Sequence, residues 1–378
     1  MALTLKDFLR ALKTSHVPSL LKESNSLKIV CGNEAADFDS IASAISYSYL
    51  NYANDNSIVL PVISIPKNDL LLRRDVIFVL DKLNITTDLL FFLEDLYFWK
   101  SECHKSVAAV LVDHNDVMNG MKSLIDDVIG IIDHHEDQKL YLDVNPRTIE
   151  TCGSCTSLVF RYWYYDLHHD LTQMVEVIIL CLGAAIIDTN NFQYKVESKD
   201  LEMLKLYQEA MPNFEKDSFF YQLKHAKNNI YGLSVRDILR KDYKQFDFIS
   251  SMDYGKENVT VGVASIVKPL QWLQEQHPEL LQACIQFKGE YSLDVLVLMT
   301  SFSEDSQFKR EIAFISDEQE LQSELISKIS EELKLEPVSV VASNTTSKFK
   351  RFNQLNLAAS RKQVVPVLKD AFASYSKN

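Results

Sequence analysis

The stretch "IVCGNEAADFDS", residues 29–40, decides how the chain is read. A short apolar run gives way to Gly32 and Asn33. Two aspartates follow, Asp37 and Asp39, with only Phe38 between them, and then an apolar segment with helical spacing. Asp and Asn favour turns, and Asp39 or Ser40 could simply cap a helix that begins at Ile41. A pair of aspartates asks for more. Like charges held close repel, and one of them must keep its proton unless a cation sits between them.

Working outward, the first half of the chain repeats this strand-to-helix pattern. "LKIVC" (27–31), "IVLPVIS" (58–64), "VAAVLVD" (107–113) and "DVIGIID" (127–133) are near-continuous apolar runs, as expected for strands of a parallel sheet covered on both faces. Segments such as "SIASAISYSYL" and "LRRDVIFVLDKL" between them have helical spacing. The alternation predicts an α/β doubly wound domain. Three of the strands finish on acid-bearing sequence: Asn33 to Asp39, Asp113, and Asp133-His134-His135. A fourth apolar run, "VIILCLGAAIIDTNN", reads as a helix that exposes Asp188 at its C-terminal end. Ligands of open α/β sheets bind outside the carboxyl ends of the strands, so these groups can converge on one edge.

The stretch 198–230 lacks strand signals and reads as helices leading to a second domain. Beyond it, "NVTVGVASIVK" and "LDVLVLMTS" read as strands, "EQELQSELISKISEEL" as an amphipathic helix, and a last helix follows "SRKQVVP". The expected organisation is a first domain over 1–205, a linker over 206–217 and a smaller α/β domain over 218–378.

Composition narrows the function. The chain has 378 residues and a net charge of −13, which argues against a generic nucleic-acid or membrane-surface binder. A polyanionic substrate would have to be met by a local basic patch or by metal. The opening "MALTLKDFLRALK" carries Asp7 and lacks the apolar core of a secretion signal. The longest apolar run, Val177 to Ile187, falls short of the about 20 residues a membrane helix needs. Of six cysteines, Cys152 and Cys155 form a C-x-x-C with no second pair at zinc spacing, so free thiols are expected. These features predict a soluble cytoplasmic protein.

Asp37, Asp39, Asp113, His134 and Asp188 together form a candidate metal cluster. Carboxylates with one imidazole and no thiolate suit Mg²⁺, Mn²⁺ or Co²⁺ better than a structural zinc. Several carboxylates can hold two ions, a standard arrangement for phosphoryl hydrolysis.

At these residues the chain resembles the DHH phosphoesterase superfamily. "GIIDHHED" carries the Asp-His-His signature, "GNEAADFDS" resembles the first motif, "VLVDHND" the second and "AAIIDTNN" the fourth, in the family's order. "SRKQVVP" resembles the Arg-Lys signature of the accessory domain called DHHA2. Within the superfamily, "LRRDV", "VRDILRKDYKQF" and the motifs above are most similar to fungal cytosolic exopolyphosphatases. Animal prune proteins share the first motif but carry Asp-His-Arg where this chain has Asp133-His134-His135.

The resemblance implies a DHH domain and a DHHA2 domain with the active site in the cleft between them. It implies two divalent ions: Asn33 and Asp37 at the first, Asp39, His134 and Asp188 at the second, Asp113 bridging both. His135 would contact substrate phosphate and donate a proton, and Lys244, Arg361 and Lys362 would grip phosphate from the second domain. The implied activity is release of terminal orthophosphate from inorganic polyphosphate by a metal-activated hydroxide, with no nucleic-acid or membrane partner, by a monomer. Asn33 departs from the His that family II pyrophosphatases usually carry, and an amide oxygen is the weaker ligand. A pyrophosphatase or prune-like short-chain phosphohydrolase remains the alternative. A nuclease of the RecJ type is disfavoured by the absence of any Gly-Gly pair. A non-catalytic interaction protein is disfavoured because every acidic position is intact.

Lys348, Lys350 and Arg351, and further Lys224, Lys227, Arg240, Lys241, Lys268 and Arg310, are candidates for a channel that takes a longer polyanion. "GSCTS" (153–157) could offer helix N-terminal amides to phosphate, or be a plain cap.

Overall fold

The computed structural model describes residues 3–117, 119–165, 174–249, 258–305, 307–338 and 348–373. The chain divides into two compact units, Met1–Asn229 and Ile230–Asn378.

The first unit holds six strands: β1 (Ser26–Cys31), β2 (Leu60–Ile63), β3 (Phe91–Phe92), β4 (Ser106–Val112), β5 (Asp127–Asp133) and β6 (Arg147–Ile149). They pair in parallel throughout, in the order β3-β2-β1-β4-β5-β6. The order runs outward in opposite directions from β1 and β4, so the topological switch point lies between their carboxyl ends, where doubly wound folds open a ligand crevice. Those two ends lead directly into Asn33–Asp39 and Asp113.

Nine helices accompany these strands among the described residues: α1 (Leu5–Ala11), α2 (Val17–Glu23), α3 (Phe38–Asp55), α4 (Arg74–Lys82), α5 (Leu93–Ser101), α6 (Cys155–Tyr164), α7 (Val175–Asp188), α8 (Ser198–Ala210) and α9 (Lys216–Asn228). The β1–α3 turn is tight enough to require Gly32, since a Cβ there would lie 2.5 Å from Ser40 Cβ. Along α3 even Ser40, Ser43, Ser46 and Ser48 are buried. Small side chains let neighbouring helices approach closely: at Gly183 on α7, a Cβ would lie 2.8 Å from the Phe38 ring.

The stretch expected as a linker, 206–217, contains the last turn of α8 and the start of α9. Helix α9 belongs to the first unit's core because its apolar face is buried there. Phe219, Phe220 and Leu223 join that core, and the Phe219 ring sits 6.3 Å from that of Phe78 on α4. The first unit therefore continues to Asn229.

The second unit is a smaller α/β body. Its strands are β7 (Tyr243–Ile249), β8 (Asn258–Ile266), β9 (Val295–Thr300), β10 (Phe302–Glu304), β11 (Gln307–Lys309), β12 (Glu311–Ile315), β13 (Leu335–Pro337) and β14 (Phe349–Gln354). Six form a mixed sheet, β13-β14-β12-β9-β8-β7, with β8–β9 its one parallel pair; β10 and β11 form a separate ribbon. Its helices are α10 (Val235–Lys241), α11 (Leu270–Gln276), α12 (Leu280–Glu290), α13 (Gln319–Leu333) and α14 (Arg361–Ala373). Val364, Leu368 and Phe372 of α14 pack with Leu325 and Ile329 of α13 into a core separate from the first. No helix among the described residues is long and apolar enough to cross a membrane.

Candidate metal centre

The first strand-to-helix turn is capped, though not by Asp39 or Ser40. The helix begins at Phe38 rather than Ile41, and Asp37 is its cap, accepting a hydrogen bond from the Ser40 amide at 3.1 Å. Asp39, the second residue of the helix, is buried. Its carboxylate is received by the N-terminus of α6: the amides of Cys155 and Thr156 donate to it at 2.6 and 2.9 Å, and the Ser154 hydroxyl at 2.7 Å. Of the "GSCTS" amides, those of Gly153, Cys155 and Thr156 are therefore engaged by protein carboxylates. Gly153 donates its own N–H to Asp200 at 2.7 Å. Charge-assisted bonds of this kind hold an anion in place without neutralising it.

Asp113 follows β4 with φ of +61°, a left-handed conformation that Asp tolerates better than most residues. Its Oδ2 accepts from Ser40 Oγ at 2.5 Å and from Asn33 Nδ2 at 2.9 Å, and its Oδ1 lies 3.1 Å from His134 Nε2. The Asn33 oxygen accepts from the Ala35 amide at 2.9 Å, so the amide nitrogen faces the aspartate; a half-turn of the amide would exchange the two atoms.

His134 and His135 follow β5. His134 Nδ1 donates to the Cys152 carbonyl at 2.9 Å, which leaves Nε2 aimed at Asp113 and at Asp39 Oδ2, 3.7 Å away. A backbone carbonyl on the far ring nitrogen is the arrangement that orients metal-binding imidazoles. His135 Nδ1 bonds Asp133 Oδ1 at 2.8 Å, and Asp133 Oδ2 accepts from Asn115 at 2.5 Å. The ligand atoms of Asp113, His134 and His135 lie within 4.8 Å of one another.

Asn33, Asp37, Asp39, Asp113, His134, His135 and Asp188 all line one cavity of about 460 Å³, together with Thr151, Cys152, Gly153, Lys195 and Glu197. Asp188 enters it from the last turn of α7 and takes no hydrogen bond among the described residues.

The electrostatics combine burial with crowded negative charge. Burial, then the charge of Asp39, pushes the Asp113 carboxyl up to about 7, against hydrogen bonds from His134 and Ser40. Burial, then Asp39 and Asp37, raises Asp188 well above the usual carboxylate range, against the charge of Lys227. Burial alone would lower His134, but its hydrogen bond to Asp113 and the charge of Asp39 outweigh that and push it up to about 10. Acids that hold protons and an imidazole that refuses to lose one both report uncompensated negative charge. Divalent cations would supply what the cluster lacks, and the oxygen-rich donor set with an oriented imidazole fits them.

Lys244, Arg361 and Lys362 belong to the second unit. Arg361 opens α14, and its guanidinium donates to the Asp242 carbonyl at 2.9 Å and carboxylate at 2.6 Å. Lys244 and Lys362 are exposed. Of the wider basic set, Lys348 pairs with Asp317 at 2.7 Å, Lys350 bonds Ser323 at 2.7 Å and Arg351 pairs with Glu311, so these three support the second unit's own packing. Sequence reasoning missed Ser40, Asn115, Asp133 as a partner of His135, Lys195 and Asp200. The first three sit within the quoted motifs and could have been found there; the last two gave no local signal.

Residues 28–186 match the DHH family, N-terminal domain, and residues 221–371 match the DHHA2 domain. The chain is 31% identical over 371 residues to the Schizosaccharomyces pombe protein named "Putative exopolyphosphatase", a match covering 93% of each. It is 27% identical over 382 residues to human Exopolyphosphatase PRUNE1, covering 98% of this chain and 80% of that one. In fold it is similar to the crystal structure titled a "putative family II inorganic pyrophosphatase" of Methanococcus jannaschii, with a TM-score of 0.56 at 19% identity over 92% of this chain and all of the other.

Proposed function

The chain belongs to the DHH family of phosphoesterases and carries a DHHA2 domain, and from that premise we propose that it is a metal-dependent exopolyphosphatase that releases terminal orthophosphate from inorganic polyphosphate. The observation that carries this reading is the cavity at the β1–β4 switch point, where four aspartates and an oriented imidazole share one lining with a single lysine among the described residues.

Asn33 and Asp37 are assigned to one cation, Asp39, His134 and Asp188 to a second, and Asp113 to both. Two divalent ions, Mg²⁺, Mn²⁺ or Co²⁺, would neutralise the carboxylates, acidify a water and clamp phosphate oxygens. The chain's own residues supply position and protons. Ser40 fixes the Asp113 rotamer, and the α6 amides fix Asp39. The hydrogen bond that His135 donates to Asp133 raises the His135 pKa, which favours the imidazolium that binds phosphate and gives its proton to a leaving group. In the second unit, Lys244, Arg361 and Lys362 are assigned to substrate phosphate, with Asp242 orienting the Arg361 fork. All six cysteines are unpaired, which fits the reducing cytoplasm.

The test is phosphate release from long-chain polyphosphate, tripolyphosphate, pyrophosphate and single-stranded DNA, each with Mg²⁺, Mn²⁺ and Co²⁺. The reading requires orthophosphate from the polyphosphates and none of the activity on DNA. Hydrolysis confined to pyrophosphate would replace it with the pyrophosphatase alternative.

A further inference from the structure

Lys195 was in no motif, yet it lines the cavity with the acids. Among the described residues it is the one lysine or arginine of that lining. Its position is not casual. It follows α7 on a loop in which Asn190, Asn191, Phe192 and Lys195 all have positive φ, between 47° and 64°. Side-chain-bearing residues rarely adopt that conformation, and such strain persists only where surrounding contacts over-determine it. Here the Thr189 carbonyl accepts from the Gln193 and Tyr194 amides at 3.0 and 2.9 Å, and Thr189 Oγ1 accepts from Phe192 at 2.9 Å. The loop also presses on Gly153: a Cβ there would lie 2.6 Å from the Lys195 carbonyl oxygen and 2.4 Å from Thr189 Cγ2. Beyond the loop, Glu197 is engaged as the cap of α8, with its amide on Asp200 Oδ2 at 2.9 Å. Lys195 has no ion pair among the described residues; its ammonium lies 5.7 Å from the Tyr194 ring centre, a weak contact.

With the cations of the proposed function in place, four aspartates against two divalent charges leave that part of the lining near neutral. A polyanion entering it still needs positive charge. We propose that Lys195 is a substrate-binding residue of the first unit, its ammonium contacting a phosphoryl group of the bound substrate beside the metal cluster. This rests on the phosphohydrolase reading above. The contact is charge-assisted and aimed at a bound anion, so it strengthens binding of substrate and product alike and leaves the metal sites untouched.

The experiment compares wild type with Lys195→Gln, Lys195→Arg and Gly153→Ala, each with Mn²⁺. Lys195→Gln should raise KM for tripolyphosphate about tenfold or more and weaken inhibition by orthophosphate by a similar factor, with Mn²⁺ affinity by calorimetry unchanged. Lys195→Arg should recover most of the loss, because it keeps the charge. Gly153→Ala, which displaces the loop that carries Lys195 while keeping the lysine itself, should raise KM in the same direction. If Lys195→Gln has the wild-type KM and orthophosphate inhibition, Lys195 does not touch substrate. If Mn²⁺ affinity falls with Lys195→Gln, its role is in shaping the metal centre, and the proposal is equally overturned. Should wild type hydrolyse no polyphosphate at all, the exopolyphosphatase reading fails separately; orthophosphate binding to the Mn²⁺-loaded protein, wild type against Lys195→Gln, then still decides the Lys195 contact.

Discussion

The two units are built on similar plans, six-stranded sheets carrying helices, yet they treat charge in opposite ways. In the second unit acids are matched. Glu311 is buried against Arg351, Asp317 holds Lys288 and Lys348 at 2.7 Å, and Asp242 holds Arg361. In the first, Asp39, Asp113 and Asp188 crowd one cavity, and Lys195 is its one lysine or arginine among the described residues. Of the second unit's pairs, Glu311–Arg351 is buried, where losing one partner would strand a charge, and the others are partly exposed and contribute little. An unmatched cluster weakens the fold and persists where a ligand completes it.

The strongest blow to the comparison is Asp113→Asn. Asn tolerates the left-handed backbone at this position, so the fold should survive with little change in Tm. Turnover should fall about a thousandfold or more, since the residue is shared by both proposed cations and groups acting as a unit fail together. A variant with near-normal turnover would dissolve the cluster as a metal centre.

Next is the pH dependence of metal stabilisation. Asp113 is raised in the folded state, so its contribution to stability is present below the unfolded carboxylate pKa and is lost as pH climbs through about 7. The metal-free protein should therefore lose Tm from about pH 4 to about pH 7, and Mn²⁺ should restore more at the upper end. Differential scanning fluorimetry with and without chelator reads this. An equal Mn²⁺ effect at both ends would show that the acids are not what the metal relieves.

A smaller effect is expected from the matched unit. Arg361→Ala or Lys362→Ala should raise KM and lower kcat together, by about tenfold each, because contacts to phosphate strengthen as charge develops. Unchanged kinetics would return both residues to ordinary solvated surface. Smallest is Asn33→His. Imidazole should tighten the first cation, shift preference from Mg²⁺ towards Mn²⁺ and Co²⁺, and move activity from long polyphosphate towards pyrophosphate by a few-fold. Identical metal affinity and substrate ratio would leave Asn33 as a turn residue, held by its bonds to Ala35 and Asp113.

Much of the first unit was legible because its strands are apolar on both faces and its acids fall at strand ends. The runs ending at Cys31, Asp113 and Asp133 became β1, β4 and β5 within a residue or two. Asp188 ended α7 as read. Strands β3 and β6 are two and three residues long, too short to show a period. Strand β7 was missed because half its side chains face solvent, so "YKQFDFI" lacks an apolar run. Helix α9 was read as a connection because its polar face dominates the sequence; only packing shows that Phe219 and Leu223 bind it to the first core. In the site, residue types marked the acids and imidazoles. Their supports were invisible for a physical reason. Asp200 acts through the Cys152 thiol and the Gly153 amide from 47 to 48 positions away, and Lys195 is placed by loop conformation, which no local pattern encodes.

The central claim is that the unmatched acids hold cations that cleave phosphoanhydrides at a chain end. The direct measurement is the product distribution from long-chain polyphosphate, resolved by gel, for metal-stripped protein to which Mn²⁺ is added back. The account predicts no reaction without metal, and with it a steady release of orthophosphate while the remaining chains shorten from their ends. Orthophosphate release that persists in the stripped protein, or internal cutting into mid-length fragments, would contradict it.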